Sequence, residues 1–516
     1  MLKVHFLLVI LLLLFYSNPV IPSTNIVKTL PGFSGSLPFK LQTGYIRVDE
    51  KEDVNYFYYF IESERNPRDN PLMLWLSGGP GCSVLSGLAF EIGPLKFKNV
   101  EYNGSLPALE LNPYSWTKVA SIIFLDAPVG TGFSYSKSLE GSQTGDFVYA
   151  NRCHNFMRKW FLAHPKFNTN SFYLGGDSFS GKIIPIIAEQ IAQSVEANNI
   201  PKINFKGYLL GNPITDSKIE DNYKVKFAHQ LGLVSDELYQ SLKKTCKGHY
   251  IGQHSNDTLC AKNLEAYSMC IENINLPHIL ESNCSTFLNN DKLHSQRSLL
   301  EKSLKPNLIQ LGLNIKNLPP PPEASKFGCW TYKNLLVYYW ANDKTVQEAL
   351  HIQKETIQIW IRCNRSLPYA KDVDSVVSYH KQLNSRGYRA LIYSGDHDMV
   401  VPYLGTLAWI KSMNLSIVDR WRPWLVDNQV AGYVTEYSKG LFTFTTIKGG
   451  GHTAPEFNPK ECFAMFERVV AAWLRSGCIR RRFQSDDGCM VVAKWLAEGC
   501  IRRRFQSDKS FWVVAG

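Results

Sequence analysis

One serine lies where a strand pattern gives way to a helix pattern. Residues 171–174 form an apolar run typical of a strand, and isoleucines recur at helical spacing from Ile183 onward. Between them, the sequence Gly-Gly-Asp-Ser-Phe-Ser-Gly of residues 175–181 places Ser178 on a turn that opens the helix. A serine there exposes its hydroxyl close to the free N–H groups of the helix N-terminus. Ser178 is therefore the predicted nucleophile; the alternative is a serine that only caps the helix.

Two further candidates follow strand patterns later in the chain. The buried-strand pattern of residues 390–394 leads to Asp396, and the alternating run 441–447 leads to a glycine turn that presents His452. A histidine can take the proton of a serine, and a carboxylate can fix the histidine tautomer and stabilise its cation. The order serine, aspartate, histidine is that of the α/β-hydrolase triad. We therefore predict the triad Ser178, Asp396 and His452; the alternatives are a turn histidine and a turn-capping aspartate.

A glycine turn also follows an earlier strand pattern. The apolar residues 71–76 lead into Ser-Gly-Gly-Pro-Gly-Cys-Ser at residues 77–83. Adjacent glycines let backbone N–H groups approach a substrate closely, as an oxyanion hole requires. The alternative is a plain tight turn, and no phosphate-binding motif follows. The acids around His397 have no further ligand cluster in the sequence, so neither a metal nor a cofactor is expected.

These segments and several others resemble the serine carboxypeptidase-like family of the α/β-hydrolase fold. The resemblance runs in family order from about residue 30 to 474, through residues 75–83, 90–94, 124–135, 176–181, 211–213, 393–396 and 449–456. It implies an α/β fold with a central, mostly parallel sheet flanked by helices and a largely helical cap insertion. It also implies that the backbone N–H groups of Gly79 and Phe179 form the oxyanion hole.

Four residues are expected to bind the substrate, namely Ser77, Gly78, Glu91 and Asp177. In carboxypeptidases of this family, an Asn-Gly-Gly segment and two glutamates hold the terminal carboxylate of the peptide. This chain has Ser77 in place of the asparagine and Asp177 in place of one glutamate. Losing an amide donor to a charged group removes a hydrogen bond worth about 1.5–3 kcal/mol. Both departures weaken the case for a peptidase.

Glu91 and Asp177 are expected to form a close carboxyl pair. Two such groups cannot both ionise cheaply, so one proton would be shared and one apparent pKa raised, which suits an acidic compartment. The alternative is that each acid only accepts hydrogen bonds from a loop backbone.

The same departures, with residues 360–364 and 449–455, resemble the plant acyltransferase branch of the family. Those proteins pass an acyl group from a glucose ester to an alcohol or amine through an acyl-serine. That branch usually has tyrosine after the nucleophile, where this chain has Phe179. We expect acyl transfer between small molecules. A serine-type carboxypeptidase acting on peptides is the alternative, and a non-catalytic binding paralogue a further one.

The N-terminus predicts a secreted protein. Lys3 precedes an apolar run over residues 6–16, which is too short to span a bilayer, and small and polar residues follow as far as residue 24. Residues 1–24 are therefore interpreted as a signal peptide, without stable membrane insertion, and the resemblance implies a vacuolar or extracellular destination. Five sequons agree with this route as glycosylation candidates, at Asn103, Asn256, Asn283, Asn364 and Asn414.

The twelve cysteines suit an oxidising compartment. The resemblance implies the disulfides Cys82–Cys329 and Cys246–Cys260. Cys284 is expected to pair with Cys270 or to stay free. Three others are expected to be buried thiols rather than nucleophiles, namely Cys153, Cys363 and Cys462.

The distribution of strand, helix and polar patterns along the chain predicts one large enzyme domain with an insertion. Its 516 residues are 45% hydrophobic, enough for a substantial core. Strand and helix patterns alternate in residues 25–213, which are predicted to be the first part of the core. Residues 214–330 are helical and polar and are predicted to form the cap. The core resumes in residues 331–474.

The C-terminus repeats itself. Residues 469–474 recur as 491–496 and residues 477–486 as 499–508, which is a period of 22 residues. Residues 475–516 are expected to be disordered or spurious, a basic targeting tail being the alternative. They hold nine Lys or Arg against four Asp or Glu, so the rest of the chain carries only +6 of the net +11. Such a small excess of positive charge, without a recognition motif, does not indicate nucleic acid binding.

Overall fold

The computed structural model describes residues 25–251, 258–284 and 327–481. The predicted signal peptide, the sequon at Asn256 and most of the repetitive tail lie outside these residues. The chain divides into two units after Phe463, and the described residues of the second unit all belong to the last helix.

The strands of the described residues are, in chain order, β1 Asn25–Thr29, β2 Ser36–Asp49, β3 Val54–Ile61, β4 Leu72–Leu76, β5 Leu95–Phe97, β6 Leu109–Leu111, β7 Ser121–Leu125, β8 Tyr135–Ser136, β9 Thr144–Gly145, β10 Phe172–Asp177, β11 Phe205–Gly211, β12 Tyr369–Ala370, β13 Arg389–Gly395, β14 Ile417–Val426, β15 Gln429–Tyr437 and β16 Phe442–Ile447. The α-helices are α1 Leu139–Ser142, α2 Asp146–Ala163, α3 Ser180–Glu196, α4 Ser217–Gln230, α5 Asp236–Cys246, α6 Thr258–Ile271, α7 Lys333–Ala341, α8 Lys344–Ala349, α9 Val377–Ser385, α10 Tyr403–Ser412, α11 Ala454–Phe457 and α12 Pro459–Arg481.

A twelve-stranded sheet forms the centre of the larger unit, in the order β1-β2-β3-β7-β4-β10-β11-β13-β16-β15-β14 with β8 beside β3. The run from β7 to β16 is parallel, and antiparallel strands extend it at both sides. Every residue of β4 and β7 is buried, as expected for parallel strands covered on both faces. The predicted mostly parallel central sheet is confirmed.

The parallel run brings the predicted functional loops to one edge. Parallel strands share one direction, so their C-terminal ends lie side by side, which is where open α/β sheets bind ligands. In this chain β4 ends at Leu76, β10 at Asp177, β11 at Gly211, β13 at Gly395 and β16 at Ile447. Each of these residues stands at or directly before a segment that the sequence singled out.

The cap, as far as the structure describes it, is helical. Helices α4, α5 and α6 pack around a small apolar core, which includes Val225, Phe227, Leu242 and Tyr267 and also Met399 from the loop after β13. The disulfide Cys246–Cys260 joins α5 to α6, as predicted. The domain boundaries given above stay predictions.

The remaining disulfides correct the sequence interpretation. Cys82 pairs with Cys363, so the predicted Cys82–Cys329 bond is wrong, and so is a buried thiol at Cys363. Cys329 pairs instead with Cys284, so the expectation that Cys284 pairs with Cys270 or stays free is wrong. The reason lies in the fold: the chain returns at Cys363 to form a β-bridge with Cys82, a proximity that sequence separation hides.

Among the cysteines whose side chains the structure describes, three form no disulfide, and they differ in burial. Cys270 is exposed, whereas Cys153 and Cys462 are buried, as predicted. Across the described ranges, no helix combines the length and the apolar character that a bilayer crossing requires.

Candidate active site

Ser178 occupies a strained turn between β10 and α3. Its φ is +55°, a left-handed value that costs a non-glycine residue about 1–3 kcal/mol. Two backbone hydrogen bonds hold it there: the Ser178 amide donates to the Gly211 carbonyl (2.9 Å), and the Ile214 amide donates to the Ser178 carbonyl (2.9 Å). The next residue, Phe179, precedes the helix directly. The predicted strand-to-helix elbow is therefore present.

A histidine and a carboxylate form a hydrogen-bonded chain with the serine hydroxyl. The Ser178 Oγ lies 2.8 Å from Nε2 of His452, and Nδ1 of His452 lies 2.8 Å from Oδ2 of Asp398. A carboxylate only accepts, so Nδ1 carries the proton and leaves Nε2 free to accept from the serine. Such a chain can activate the hydroxyl as a nucleophile.

The acid of this chain is Asp398, so the prediction of Asp396 is wrong. The Asp396 Oδ1 lies 2.6 Å from Nδ1 of His397 and accepts from the Gly449 amide at 2.7 Å. Asp396 therefore holds the glycine turn that leads to His452 without contacting that histidine. Both acids follow β13, and the turn between them directs only the second one toward the imidazole.

Asn212 supports the acid and was missed as a functional residue. Its amide Nδ2 donates to Oδ2 of Asp398 at 2.7 Å, and the Val400 amide donates to Oδ1 at 2.7 Å. The Asp398 side chain is fully buried, so these donors stabilise its charge. The signal was available, because Asn212 stands in the Gly-Asn-Pro segment that carried part of the family resemblance.

The backbone amides of Gly79 and Phe179, predicted to form the oxyanion hole, lie near the nucleophile. Among the described residues, neither the Gly79 nor the Phe179 amide donates to another group. Gly78 has to be glycine, since a Cβ there would lie 2.5 Å from the Ser178 Cβ and 2.9 Å from the Phe179 nitrogen. This close approach brings the loop after β4 against the elbow, the arrangement that an oxyanion hole needs.

A buried carboxylate fixes the loop after β4. Asp126 accepts from the Ser83 hydroxyl (2.7 Å), the Val84 amide (2.9 Å) and the Phe133 amide (3.0 Å). Burial raises the pKa of Asp126 to about 6, although these three hydrogen bonds oppose the shift. Asp126 was not singled out from the sequence, because nothing in its immediate neighbours indicates a buried acid.

A cavity of about 510 Å³ opens beside the nucleophile. The predicted residues Ser77, Gly78, Gly79, Glu91, Asp177, Ser178 and His452 all line it, whereas Phe179 and Asp396 do not. Aromatic and basic side chains complete the wall, among them Phe90, Trp330, Tyr369, Arg362, Arg365 and Lys371. The disulfide Cys82–Cys363 forms part of the same wall.

The cavity has an acidic inner wall. Glu91, on a π-helical turn at Gly87–Glu91, is 4% exposed and Asp177 is 6% exposed. Burial, followed by the charges of Asp177 and Glu456, raises the pKa of Glu91 well above its ordinary value. Burial raises the pKa of Asp177 to about 6, although the attraction of His452 opposes the shift. The predicted raised pKa is present, and the sharing of one proton stays a prediction.

Three buried oxygens on this wall lack partners among the described residues. They are the hydroxyl of Ser77, Oε2 of Glu91 and Oδ1 of Asp177. A buried polar atom without a partner costs about 1–3 kcal/mol. These atoms are therefore available to a polar group of a bound molecule.

Glu456 and Lys333 form an ion pair that the sequence did not reveal. The Glu456 side chain is 7% exposed, accepts from Thr453 and pairs with the Lys333 ammonium. The same ammonium lies 5.3 Å from the Phe90 ring centroid and 5.7 Å from that of Trp330. Of the three buried acids Glu91, Asp177 and Glu456, Lys333 therefore compensates the charge of Glu456. It also links the aromatic wall to the segment that follows His452.

The charge on the histidine follows from its neighbours. Burial lowers the pKa of His452, but the charge and hydrogen bond of Asp398, with Asp177 and Glu456, outweigh it and raise the pKa above 6.5. A histidine so placed can hold the proton that it takes from a serine.

Comparison with known proteins finds matches over most of the chain. The family model described as serine carboxypeptidase matches residues 31–472. Serine carboxypeptidase-like 1 of Arabidopsis thaliana is 49% identical over 90% of this chain and 96% of its own length. Serine carboxypeptidase-like 19 of the same plant is 46% identical over 91% of this chain and 98% of its own length.

A solved structure shows the same fold. It is that of KEX1(Δ)p, a prohormone-processing carboxypeptidase from Saccharomyces cerevisiae, with a TM-score of 0.63 over 85% of this chain and 92% of that one, at 19% identity. Together with the sheet order, this likeness confirms the predicted α/β-hydrolase fold.

Proposed function

The chain belongs to the serine carboxypeptidase family, and on that premise we propose that it is an acyltransferase using Ser178, His452 and Asp398. The donor is a glucose ester and the acceptor an alcohol or amine. Peptide hydrolysis is the second candidate.

The reaction proceeds in two halves. His452 takes the proton of Ser178 while the serine oxygen bonds to the ester carbonyl, and the Gly79 and Phe179 amides stabilise the oxyanion. The bond to the glucose oxygen then breaks, and His452 returns the proton to that oxygen. The acceptor attacks the acyl-serine, His452 takes the acceptor proton, and Ser178 leaves with it. Asp398 stays ionised and stabilises the imidazolium throughout.

The acidic inner wall carries the preference for transfer. The free oxygens of Ser77, Glu91 and Asp177 can exchange hydrogen bonds with sugar hydroxyls, which both donate and accept. A peptide carboxylate only accepts. It would meet a serine where peptidases of the family have an amide donor, beside carboxyl groups that donate only while protonated.

Arg362 is the observation that favours a peptidase. It lines the cavity and interacts electrostatically with Glu456, Glu91 and Asp177. Within the described part of the chain, no carboxylate oxygen lies within ion-pair distance of its guanidinium, so it can meet an anionic substrate group.

The deciding experiment offers both kinds of substrate to the purified protein at mildly acidic pH. Acyl-glucose esters with alcohol or amine acceptors form one set, and a blocked dipeptide the other, with products identified by mass spectrometry. We expect acylated acceptor from the wild type and none from Ser178→Ala. Release of the C-terminal residue from the dipeptide, without acylated acceptor, would overturn the proposal.

A restoring variant sharpens the distinction. Ser77→Asn combined with Asp177→Glu supplies the side chains that peptidases of the family carry at these positions. We expect this double variant to gain dipeptide hydrolysis and to lose transfer. An unchanged ratio of the two activities would remove Ser77 and Asp177 as the basis of the choice.

The compartment is part of the proposal. We propose that the protein matures in the secretory route, supported by the three disulfides among the described residues and by exposed sequon asparagines at Asn103 and Asn414. The amide of Asn364 instead donates to the Gly130 carbonyl at 3.0 Å. We expect glycopeptide mass spectrometry to find glycans at Asn103 and Asn414.

A further inference from the structure

A short segment of the cap lies against both loops that carry the triad acid and histidine. It comprises residues 276–279, here called the cap strap, between the end of α6 at Ile271 and the disulfide at Cys284. Four hydrogen bonds join it to the triad loops, three of them between backbone groups.

Two of these bonds flank the triad acid. The Met399 amide donates to the Leu276 carbonyl at 2.9 Å, and the Ile279 amide donates to the His397 carbonyl at 3.1 Å. Residues 397 and 399 stand directly before and after Asp398. The cap strap therefore fixes the backbone from which the Asp398 side chain projects.

The other two bonds hold the histidine loop. The His452 amide donates to the Pro277 carbonyl at 2.6 Å, and Nε2 of His278 lies 3.0 Å from the Gly449 carbonyl. The Leu280 amide donates to Nδ1 of His278 at 3.3 Å. A carbonyl only accepts and an amide only donates, so the proton of His278 lies on Nε2 and both ring nitrogens are satisfied.

Within the cap strap, His278 is tightly packed. His278 is 6% exposed, and its ring lies 4.6 Å from that of Phe457 and 5.8 Å from that of His397. A Cβ at Gly451 would come within 2.6 Å of the Pro277 oxygen and 2.8 Å of the His278 ring. The glycine before His452 is therefore required for this contact.

We propose that His278 is a positioning residue, which through the cap strap sets the distance between Asp398 and His452. It touches no reacting atom; it holds the Gly449 turn on one side while its neighbours hold Asp398 on the other. The inference rests on the triad of the proposed function, whichever acyl acceptor is used.

The test measures the nucleophilicity of Ser178 directly. An aryl sulfonyl fluoride, which reacts with activated serines whatever the natural substrate, is applied to the full-length wild type and to His278→Phe. Phenylalanine keeps the ring packing and removes both hydrogen-bonding nitrogens. We expect inactivation to slow by about ten- to a hundredfold, the size of effect that a displaced catalytic group produces. With an accepted substrate, kcat falls by the same factor and KM changes by less than about twofold.

Three further variants make the result specific. His278→Gln keeps a donor toward the Gly449 carbonyl and is expected to restore most of the rate. His154→Phe, a half-buried histidine of α2 that bonds Ser194, is the matched control and leaves the rate unchanged. If His278→Phe does not fold, Gly451→Ala provides the second route, because its Cβ displaces the cap strap and is expected to slow the same reaction.

Two results would overturn the positioning role. One is a folded His278→Phe whose Ser178 is labelled at the wild-type rate; the other is a loss of rate in His278→Gln as large as that in His278→Phe. The failure of the proposed function looks different. In that case no acylated acceptor forms, with or without release of the C-terminal residue from the dipeptide, while Ser178 is still labelled at a rate that depends on His278.

Discussion

At the scale of single residues, two aspartates in one loop have separate tasks. Asp398 accepts from His452 and Asn212, whereas Asp396 accepts from the Gly449 amide and contacts His397. The charge of the first is next to the catalytic imidazole, and the charge of the second is next to the turn before it. Their substitution by asparagine should therefore have unequal effects.

Asp398→Asn is expected to lower kcat by about 10⁴, because an amide facing Nδ1 favours the wrong histidine tautomer and removes the charge that stabilises the imidazolium. Asp396→Asn keeps an oxygen for the Gly449 amide and is expected to cost about tenfold or less. Steady-state kinetics of the two variants, with thermal unfolding as the control for folding, checks this. Equal losses would return Asp396 to the triad.

The sequence identified two members of the triad and the loop of the third. Ser178 and His452 each stand alone after a strand pattern, so position was enough to select them. Asp396 and Asp398 stand two residues apart after the same strand, and only the partners supplied by other loops decide between them. Asn212 comes from a different strand end, and neighbouring residues along the chain cannot reveal that contact.

The pH dependence of the nucleophile is also a property of single side chains. The pKa of His452 is raised above 6.5 partly because Asp177 is nearby, and the histidine is a base only when neutral, so activity rises as pH passes upward through that pKa. Asp177→Asn removes a negative charge and is expected to move this rise to lower pH. Sulfonyl fluoride inactivation rates between pH 4.5 and 8 measure it. A rise that stays in place or moves upward would contradict the assigned interaction.

At the scale of elements, the loop after β4 depends on one buried acid. Asp126→Asn keeps an acceptor for Ser83 and Val84 but turns an NH₂ group toward the Phe133 amide, so one buried donor loses its partner. We expect a loss of about 1–3 kcal/mol in the free energy of unfolding, with reduced kcat because Gly79 lies in the same loop. Denaturant unfolding and kinetics provide both numbers.

The matched control for that prediction is Asp374→Asn. Asp374 is exposed and pairs with the equally exposed Lys218. Its substitution is expected to change the free energy of unfolding by less than about 0.5 kcal/mol. An effect as large as that of Asp126→Asn would mean that charge alone, rather than the bonding at Phe133, is responsible.

Elements were predicted more securely than the contacts between them. Apolar strand runs and isoleucine spacing indicated β4, β10, β13, β16 and α3, and all five are present. The bonds Cys82–Cys363 and Cys284–Cys329 were missed, because pairing depends on where a distant segment returns to the site. The cap strap was missed for the same reason, since its bonds join backbone groups more than a hundred residues apart.

At the scale of the whole molecule, buried carboxyl groups tie stability to pH. Glu220 accepts from the Thr215 amide, and burial raises its pKa from 4.5 to about 8. The unfolded chain loses this proton near pH 4.5 and the folded chain keeps it until about pH 8. This contribution to stability is therefore complete below pH 4.5 and is lost as pH rises through 8. Asp126 and Asp177, whose pKa values are also raised, act in the same direction.

Glu220→Gln is expected to flatten this dependence, because glutamine stays neutral at every pH. Between pH 5 and pH 8.5 the Tm of the wild type should fall more than that of the variant. Thermal unfolding at matched ionic strength measures the difference. A wild type that gains stability with rising pH relative to Glu220→Gln would contradict the assigned direction.

The left-handed backbone conformation of Ser178 lowers the stability of the whole molecule, although the nucleophile requires serine at this position. Glycine adopts that conformation without steric cost, whereas serine and alanine do not. Ser178→Gly is therefore expected to be more stable toward unfolding than Ser178→Ala by about 1 kcal/mol, although both are inactive. Selection for stability alone would therefore favour glycine at position 178 and remove the nucleophile. Any active form of this protein has to keep serine there and is less stable than the inactive glycine variant.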